Sequence, residues 1–74
     1  MAKIEWKYLT GDLIVTVRGR DKNERFMTFE FTCYADEEVD WYDRLDALTD
    51  IAHKMLELRG GYCSEIVDIK EQKQ

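Results

Sequence analysis

The sequence predicts an α+β fold, a two-layer sandwich in which one long helix lies across a sheet, in the order βββαβ. Two changes of pattern carry this prediction. Apolar residues alternate with polar ones through most of residues 3 to 34, and from residue 36 they recur at i, i+3, i+4 and i+7. A last alternating segment follows the glycines at 60 and 61. A chain of 74 residues has the length of one small domain, so we expect these elements to share a single core.

Three segments predict the strands of a three-stranded antiparallel meander. They are KIEWKYL at 3 to 9, DLIVTVRG at 12 to 19 and RFMTFEFTCY at 25 to 34, and each alternates apolar and polar side chains. The apolar positions are even in the first segment and odd in the second, which predicts either a tight turn or a glycine bulge at Gly11. The polar stretch GRDKNE at 19 to 24 predicts a hairpin loop before the third strand.

The helix is predicted from Asp36 to Arg59. Its apolar stripe contains Trp41, Leu45, Leu48, Ile51, Ala52, Met55 and Leu58. Leu48 lies at the centre of this stripe and is predicted to anchor the core. Asp36 is a suitable N-cap residue, because its carboxylate can accept a hydrogen bond from a free backbone N–H group of the first turn. Gly60 and Gly61 can close the helix, since glycine readily adopts the left-handed conformation found after helix C-termini.

The segment YCSEIVDI, residues 62 to 69, predicts the final strand. A right-handed return over the sheet would make this strand parallel to the first or the third strand. The whole chain, residues 1 to 74, is predicted to be a single domain with a polar tail that frays from about residue 70.

No segment of the sequence predicts a membrane partner. The longest aliphatic run, LIV at 13 to 15, is far too short to span a bilayer, and the first residues lack the apolar stretch of a signal peptide. We therefore expect a cytoplasmic protein. In that compartment, Cys33 and Cys63 are expected to be reduced thiols.

Acidic side chains are concentrated in one segment, termed the acidic run. From residue 36 to residue 50 there are seven carboxylates and one base, Arg44, a net charge of −6 compared with −5 for the whole chain. The acidic run consists of Asp36, Glu37, Glu38, Asp40, Asp43, Asp46 and Asp50. Its last three members share the helix face opposite Leu48, where like charges repel each other mildly. The pattern fits either a solvated face that favours the helix N-terminus or a negative docking surface for a basic partner.

The polar residues do not predict a catalytic, cofactor or metal site. The acidic run lacks the glycine turn of a calcium loop. A zinc site on one helix face would need an outside ligand beside the four side chains at helical spacing, which are Asp46, Asp50, His53 and Glu57. Thiol catalysis would require His53 to pair with Cys33 or Cys63, which the spacing does not indicate. We therefore expect a protein that is not an enzyme.

The segment RGRDKNER at 18 to 25 is the basic counterpart of the acidic run, with a net charge of +2. Basic hairpin tips can bind phosphates, and aromatic side chains on an open sheet can stack on bases. The aromatic candidates for such stacking are Trp6, Tyr8, Phe26 and Tyr34. Because the chain as a whole is acidic, we do not expect direct nucleic-acid binding.

The order of elements resembles a group of known proteins. A short hairpin is followed by YADEE at 34 to 38, a helix rich in Asp, Ala and Leu, and a final strand in GYCSEIVDIKE at 61 to 71. This layout is similar to that of small phage-encoded host-takeover proteins, in particular the podophage inhibitor of bacterial RNA polymerase, and to compact acidic anti-CRISPR proteins. The resemblance implies a non-enzymatic protein that occludes or locks a larger partner. In the polymerase inhibitors, arginines of the last strand matter for docking, whereas this chain has Glu65, Asp68 and Lys70 there, so the resemblance implies a class and no shared target.

Two functional hypotheses follow from these features. In the first, the protein is a phage-type inhibitor that docks the acidic run on a basic host protein that handles nucleic acid, and its carboxylates mimic nucleic-acid charge. In the second, it is a structural or assembly protein that self-associates through the open face of its sheet. A monomer and a homodimer are both compatible with the sequence.

Overall fold

The computed structural model describes residues 6 to 72 and has an α+β fold, as predicted. Its elements are β1 (Gly11–Arg20), β2 (Phe26–Ala35), α1 (Trp41–Leu58) and β3 (Tyr62–Glu71). The three strands form one antiparallel sheet in the order β2-β1-β3. We term the sheet face that packs against α1 the inner face and the opposite, open face the outer face.

The β1–β2 hairpin is regular over the whole of both strands. Asp21 stabilises its loop: one carboxylate oxygen accepts hydrogen bonds from the N–H groups of Asn23 at 2.8 Å and Arg25 at 3.0 Å. An Asp side chain commonly holds a turn in this way. The hairpin loop predicted at 19 to 24 is confirmed, although β1 continues through Arg20.

β3 runs in the same direction as β2, because both strands are antiparallel to β1. The sequence predicts a last strand that is parallel to the first or the third predicted strand. The third predicted strand is β2, so the predicted direction is confirmed. The strand to which β3 forms its hydrogen bonds, however, is β1. The β1–β3 ladder contains two irregularities. Val67 is an extra residue in β3, and Cys63 and Ser64 together occupy the space opposite Gly19.

A 3₁₀ turn at residues 6 to 8 replaces part of the first strand predicted at 3 to 9, and residues 3 to 5 lie outside the described residues. The Leu9 N–H donates to the Trp6 carbonyl at 3.0 Å and closes this turn. Trp6 is 7% exposed whereas Tyr8 is 73% exposed, so their side chains do not share a buried face as they would in a strand. Gly11 follows with φ +84° as the first residue of β1. Among the described residues no strand precedes it, so Gly11 is neither a bulge within one long strand nor part of a tight turn between two strands.

α1 begins at Trp41, later than predicted, because Asp40 and not Asp36 caps it. The Asp40 carboxylate accepts a hydrogen bond from the Tyr42 N–H at 3.0 Å. Asp36 instead holds a separate turn, where its carboxylate accepts from the Glu38 N–H at 2.9 Å. Both aspartates suit a cap, and α1 starts at the one directly before its first core-facing side chain.

α1 ends at Leu58, and Gly60 closes it as predicted, with φ +80°. The N–H groups of Gly60 and Gly61 donate to the carbonyls of Glu57 and Leu56, both at 2.9 Å. These two bonds form a Schellman motif. Gly61 also permits close packing, since a Cβ atom there would lie 2.6 Å from a methyl carbon of Leu56.

The core lies between α1 and the inner face of the sheet. Its buried side chains are Trp6, Leu13, Val15, Val17, Phe31, Ala35, Leu48, Ala52, Leu56 and Ile69. Leu48 is 3% exposed, which confirms its predicted place. The predicted stripe omits Leu56, which is fully buried, and includes Leu58, which is 86% exposed, so it is wrong at both positions. Leu56 continues the i+4 series of Leu48 and Ala52, whereas Leu58 points away from it.

β3 extends through Glu71, and the Gln72 N–H donates to the Asp12 carbonyl at 2.9 Å. The final strand therefore includes residues 70 and 71, which the sequence assigns to the start of a polar tail, and residues 73 and 74 lie outside the described residues. The polar side chains of this segment do not prevent pairing, because a strand ladder uses backbone groups.

Candidate protein-binding surface

The acidic run is exposed along its whole length, but the structure divides it into two groups. Four residues, termed the loop carboxylates, lie between β2 and α1, and they are Asp36, Glu37, Glu38 and Asp40. Three residues, termed the helix carboxylates, lie on α1, and they are Asp43, Asp46 and Asp50. The sequence predicts one helical surface, whereas the structure forms a loop and a helix face that adjoin each other.

The helix carboxylates point away from the core, as predicted. The side of α1 that faces the sheet carries Leu48, Ala52 and Leu56, and all three helix carboxylates are exposed on the other side. The Asp50 carboxylate lies 3.2 Å from the Lys54 ammonium, but both side chains are more than 60% exposed, so water screens this pair strongly. The helix carboxylates therefore present their charge to solvent.

Two of the loop carboxylates have local structural roles. Asp36 and Asp40 accept backbone hydrogen bonds in the loop turn and at the N-terminus of α1. Their positions are thereby fixed, although their charge stays exposed. Glu37 and Glu38 make no side-chain hydrogen bond or ion pair with other described residues.

Arg44 is the single base within the acidic run, and its guanidinium group turns inward. It donates to the carbonyl of Leu9 and to the carbonyl of Lys7, both at 3.1 Å, and it lies 5.7 Å from the ring centre of Trp41. Among residues 6 to 72 it forms no ion pair with a carboxylate. In the sequence Arg44 stands among seven acids, but in the structure it holds the chain before β1 against α1.

A sequence signal for this inward position exists. Arg44 lies four residues before Leu48 and is therefore on the same side of α1 as part of the apolar stripe. Arginine at such a position can cover apolar surface with its stem and donate to carbonyl groups with its head. Its charge alone does not indicate this role.

The candidate catalytic and metal-binding side chains are not assembled into a site in the described residues. His53 Nε2 lies 3.5 Å from the Glu57 carboxylate on the exposed side of α1. Within residues 6 to 72 no group of three His, Cys, Asp or Glu side chains is placed to hold a metal ion. Cys33 is half-buried and Cys63 is exposed, both as free thiols.

A groove of about 350 Å³ lies between α1 and β3. Trp6, Trp41, Leu45 and Ile66 make it mainly apolar, and Ser64 contributes a hydroxyl group. The groove lies on the sheet-facing side of α1, so it is separate from the helix carboxylates.

The basic segment lies at the opposite end of the sheet from the loop carboxylates. Arg20 at the end of β1 is opposite Phe26 at the start of β2, whereas the loop carboxylates follow the other end of β2 at Ala35. Arg18 and Arg20 both stack on the Phe26 ring, 5.0 Å and 4.9 Å from its centre. Arg18 also donates to the Glu65 carboxylate at 2.9 Å. Negative and positive charge are thus separated along the molecule.

The outer face of the sheet is mostly polar. Its central side chains in β1 and β2 are Ile14, Thr16, Arg18, Thr28, Glu30 and Thr32, of which Ile14 alone is apolar. Exposed aromatic side chains occur near its two ends, at Phe26 and Tyr34. Trp6, by contrast, is buried and has no open ring face for stacking on a base.

Comparisons with known proteins leave the family open. No protein-family model, no curated protein and no solved structure matches the chain. In the part of the chain that the structure describes, no helix is long and apolar enough to cross a membrane.

Proposed function

We propose that the protein is a non-enzymatic protein-binding module whose acidic surface docks on a basic protein that handles nucleic acid. The observation that carries the proposal is the inward orientation of Arg44. With this base directed at backbone carbonyls, the one ion pair that the helix carboxylates and the loop carboxylates form among residues 6 to 72 is that of Asp50 with the exposed Lys54. A negative surface of this kind accelerates association with a basic partner and disfavours acidic ones.

The spacing of the helix carboxylates supports mimicry of nucleic-acid charge. Asp43, Asp46 and Asp50 span about 10 Å along the axis of α1, at ~1.5 Å per residue. One strand of B-DNA carries a phosphate about every 3.4 Å of its axis. The carboxylates on α1 are spaced more widely than the phosphates of a DNA strand, but the two spacings are of the same order. A surface that binds phosphates can therefore meet these carboxylates in a similar way.

The packing of α1 supports a preformed binding surface. Leu48, Ala52 and Leu56 fix one side of the helix against the sheet, Asp40 caps its start and Gly60 closes its end. A row of charges on a fixed helix loses little conformational freedom on binding beyond that of its own side chains. The acidic surface therefore needs no folding step before it docks.

This function corresponds to an inhibitor that occupies the nucleic-acid site of a host protein, as the layout of a phage-type takeover protein implies. It would act in the cytoplasm, and in the host cell if a phage encodes it. The alternative function, assembly through the outer face of the sheet, has less support, because Ile14 is the one apolar side chain among the central side chains of that face in β1 and β2 and the others are polar or charged.

The test begins with affinity capture from bacterial lysate at low and high salt, followed by purification of the protein that high salt releases. The captured protein is then titrated with a DNA or RNA ligand, with and without saturating amounts of this chain. We expect the chain and the nucleic acid to exclude each other, because both would use the same basic surface. Unchanged nucleic-acid affinity in the presence of the bound chain would contradict charge mimicry.

A further inference from the structure

The outer edge of β2 is the least protected edge of the described sheet. β2 has ten residues and pairs with β1 on one side, and no strand among residues 6 to 72 pairs with its other side. Edge strands usually avoid pairing with another chain through prolines, lysines or bulges. The β2 sequence FMTFEFTCYA has no proline or lysine, and its ladder is regular. The other edge, β3, has two bulges and a residue at φ +58°, Cys63.

The free backbone groups of β2 belong to its even-numbered residues. The Asp21 N–H donates to the Arg25 carbonyl at 2.9 Å, and the Gln72 N–H donates to the Asp12 carbonyl at 2.9 Å. In an antiparallel ladder every second residue bonds to a given neighbouring strand. The odd-numbered residues of β1 therefore bond to β2, and the even-numbered residues of β1 bond to β3. The residues of β2 that bond to β1 are odd-numbered as well. Because these directions alternate along a strand, the even residues of β2 from 26 to 34 direct their N–H and C=O groups to the free edge.

An apolar strip lies beside this edge on the inner face. α1 lies closer to β3 than to β2, and it leaves Met27, Phe29 and Cys33 only half-buried. The flank of α1 on the β2 side adds Met55, which is half-buried and lies beside Phe31 and Thr32. The edge and the strip together form a surface with unsatisfied backbone groups and exposed apolar side chains.

We propose that this surface binds a second copy of the chain, with the two β2 strands paired antiparallel about a two-fold axis at Phe31. In this register Glu30 faces Thr32 of the second copy, and Thr28 faces Tyr34. An axis at Glu30 would direct the same free backbone groups at each other, but it would place two Glu30 carboxylates in direct opposition, which is unfavourable. The charge of Glu30 therefore selects the axis at Phe31.

Charge complementarity identifies a second copy as the occupant. The basic hairpin and the loop carboxylates lie beyond opposite ends of β2, so antiparallel pairing brings the basic end of each copy to the acidic end of the other. With the axis at Phe31, Arg25 of each copy comes to the end of β2 from which the loop carboxylates of the other copy follow, and the contact occurs twice. The segregation of charge along the chain is then a feature of the interface. The loop carboxylates would then be shared with the acidic surface of the proposed function, but self-association is measured on this chain alone, so its failure and the failure of the proposed function are distinguishable.

Sedimentation equilibrium of the full chain from micromolar to millimolar concentration measures the association. Thr32→Glu places a carboxylate opposite Glu30 of the second copy at two symmetric positions, and we expect the dimer to weaken about 2- to 30-fold. Thr28→Glu adds the same charge to the same exposed sheet face but opposite Tyr34, and it should have a smaller effect. Thr32→Lys should strengthen the dimer. A monomeric wild type throughout, or equal weakening by the two glutamates, would overturn the proposal.

A crosslink tests the register directly. The axis at Phe31 places residue 29 opposite Cys33 of the second copy in a non-hydrogen-bonded pair, where the Cα atoms approach to about 4.5 Å. This distance suits a disulfide bond. We expect Phe29→Cys, in a Cys63→Ser background, to form a covalent dimer on mild oxidation that reducing agent reverses. The Cys63→Ser chain without the new cysteine should stay uncrosslinked, and failure of the Phe29→Cys chain to crosslink in a dimeric, folded sample would overturn the register.

Discussion

At the scale of single residues, Arg44 determines how the acidic surface is presented. Its two hydrogen bonds to the carbonyls of Leu9 and Lys7 remove a cation from that surface and hold the chain before β1. The spacing of Arg44 from Leu48 places it on the apolar side of α1, but the charges around it do not predict this role, since its five closest charged neighbours in the sequence are all acids. It depends on where the chain before β1 passes over α1, which is a tertiary contact.

Arg44→Met should destabilise the fold, because the carbonyls of Lys7 and Leu9 would lose their charged donor. We expect a loss of about 1–3 kcal/mol in the free energy of unfolding, measured by urea denaturation. Lys22→Met removes the same charge from the exposed hairpin loop and should change stability by less than about 0.5 kcal/mol. Equal effects of the two variants would show that only net charge matters.

Leu48 and Leu58 provide a second residue-scale comparison, because one helix places the same side chain in two environments. Leu48 is 3% exposed and Leu58 is 86% exposed. Leu48→Ala should cost about 2–5 kcal/mol, and Leu58→Ala should leave the stability of the monomer nearly unchanged. Thermal or urea unfolding at low protein concentration measures both. A neutral Leu48→Ala variant would contradict the described core.

At the scale of secondary-structure elements, periodicity predicts the type of each element better than its limits. The strands at 12 to 19, 25 to 34 and 62 to 69 and the helix lie close to the observed β1, β2, β3 and α1. The helix start differs because Asp36 and Asp40 are both suitable caps, and the loop uses the first while α1 uses the second. The alternation at residues 6 to 8 does not produce a strand, because Trp6 enters the core by a 3₁₀ turn.

Asp40→Ala should weaken α1, since the Tyr42 N–H would lose its acceptor. The expected cost is about 0.5–2 kcal/mol in the free energy of unfolding. Asp36→Ala removes an equal charge but disturbs only the exposed turn, so it should cost less. Amide hydrogen exchange separates the two, because faster exchange in the first turn of α1 is expected for Asp40→Ala alone. A larger loss of stability for Asp36→Ala than for Asp40→Ala would contradict the assignment of Asp40 as the helix cap.

At the scale of the whole molecule, the topology places charge in a way that the sequence only partly predicts. The sequence identifies both the acidic run and the basic segment. Their positions at opposite ends of one sheet follow from the hairpin register and the direction of β2. The division into helix carboxylates and loop carboxylates follows from the start of α1 at Trp41, which periodicity alone does not determine.

The central claim is that the helix carboxylates form a docking surface for a basic protein. Calorimetric titration of the captured partner with wild type and with the triple variant Asp43→Asn, Asp46→Asn and Asp50→Asn tests it most directly. A matched variant, Asp12→Asn, Asp68→Asn and Glu71→Gln, removes the same charge from exposed positions elsewhere. The titrations are run well below and at about 0.15 M salt, where the Debye length is ~8 Å.

We expect the triple variant of the helix carboxylates to fold normally and to bind the partner at least about 10-fold more weakly at low salt. The matched variant should stay close to wild type, and the difference between the two should narrow as salt screens the charges. Equal affinities of wild type and the helix-carboxylate variant at low salt would contradict the claim and would leave the acidic run as a solvated surface.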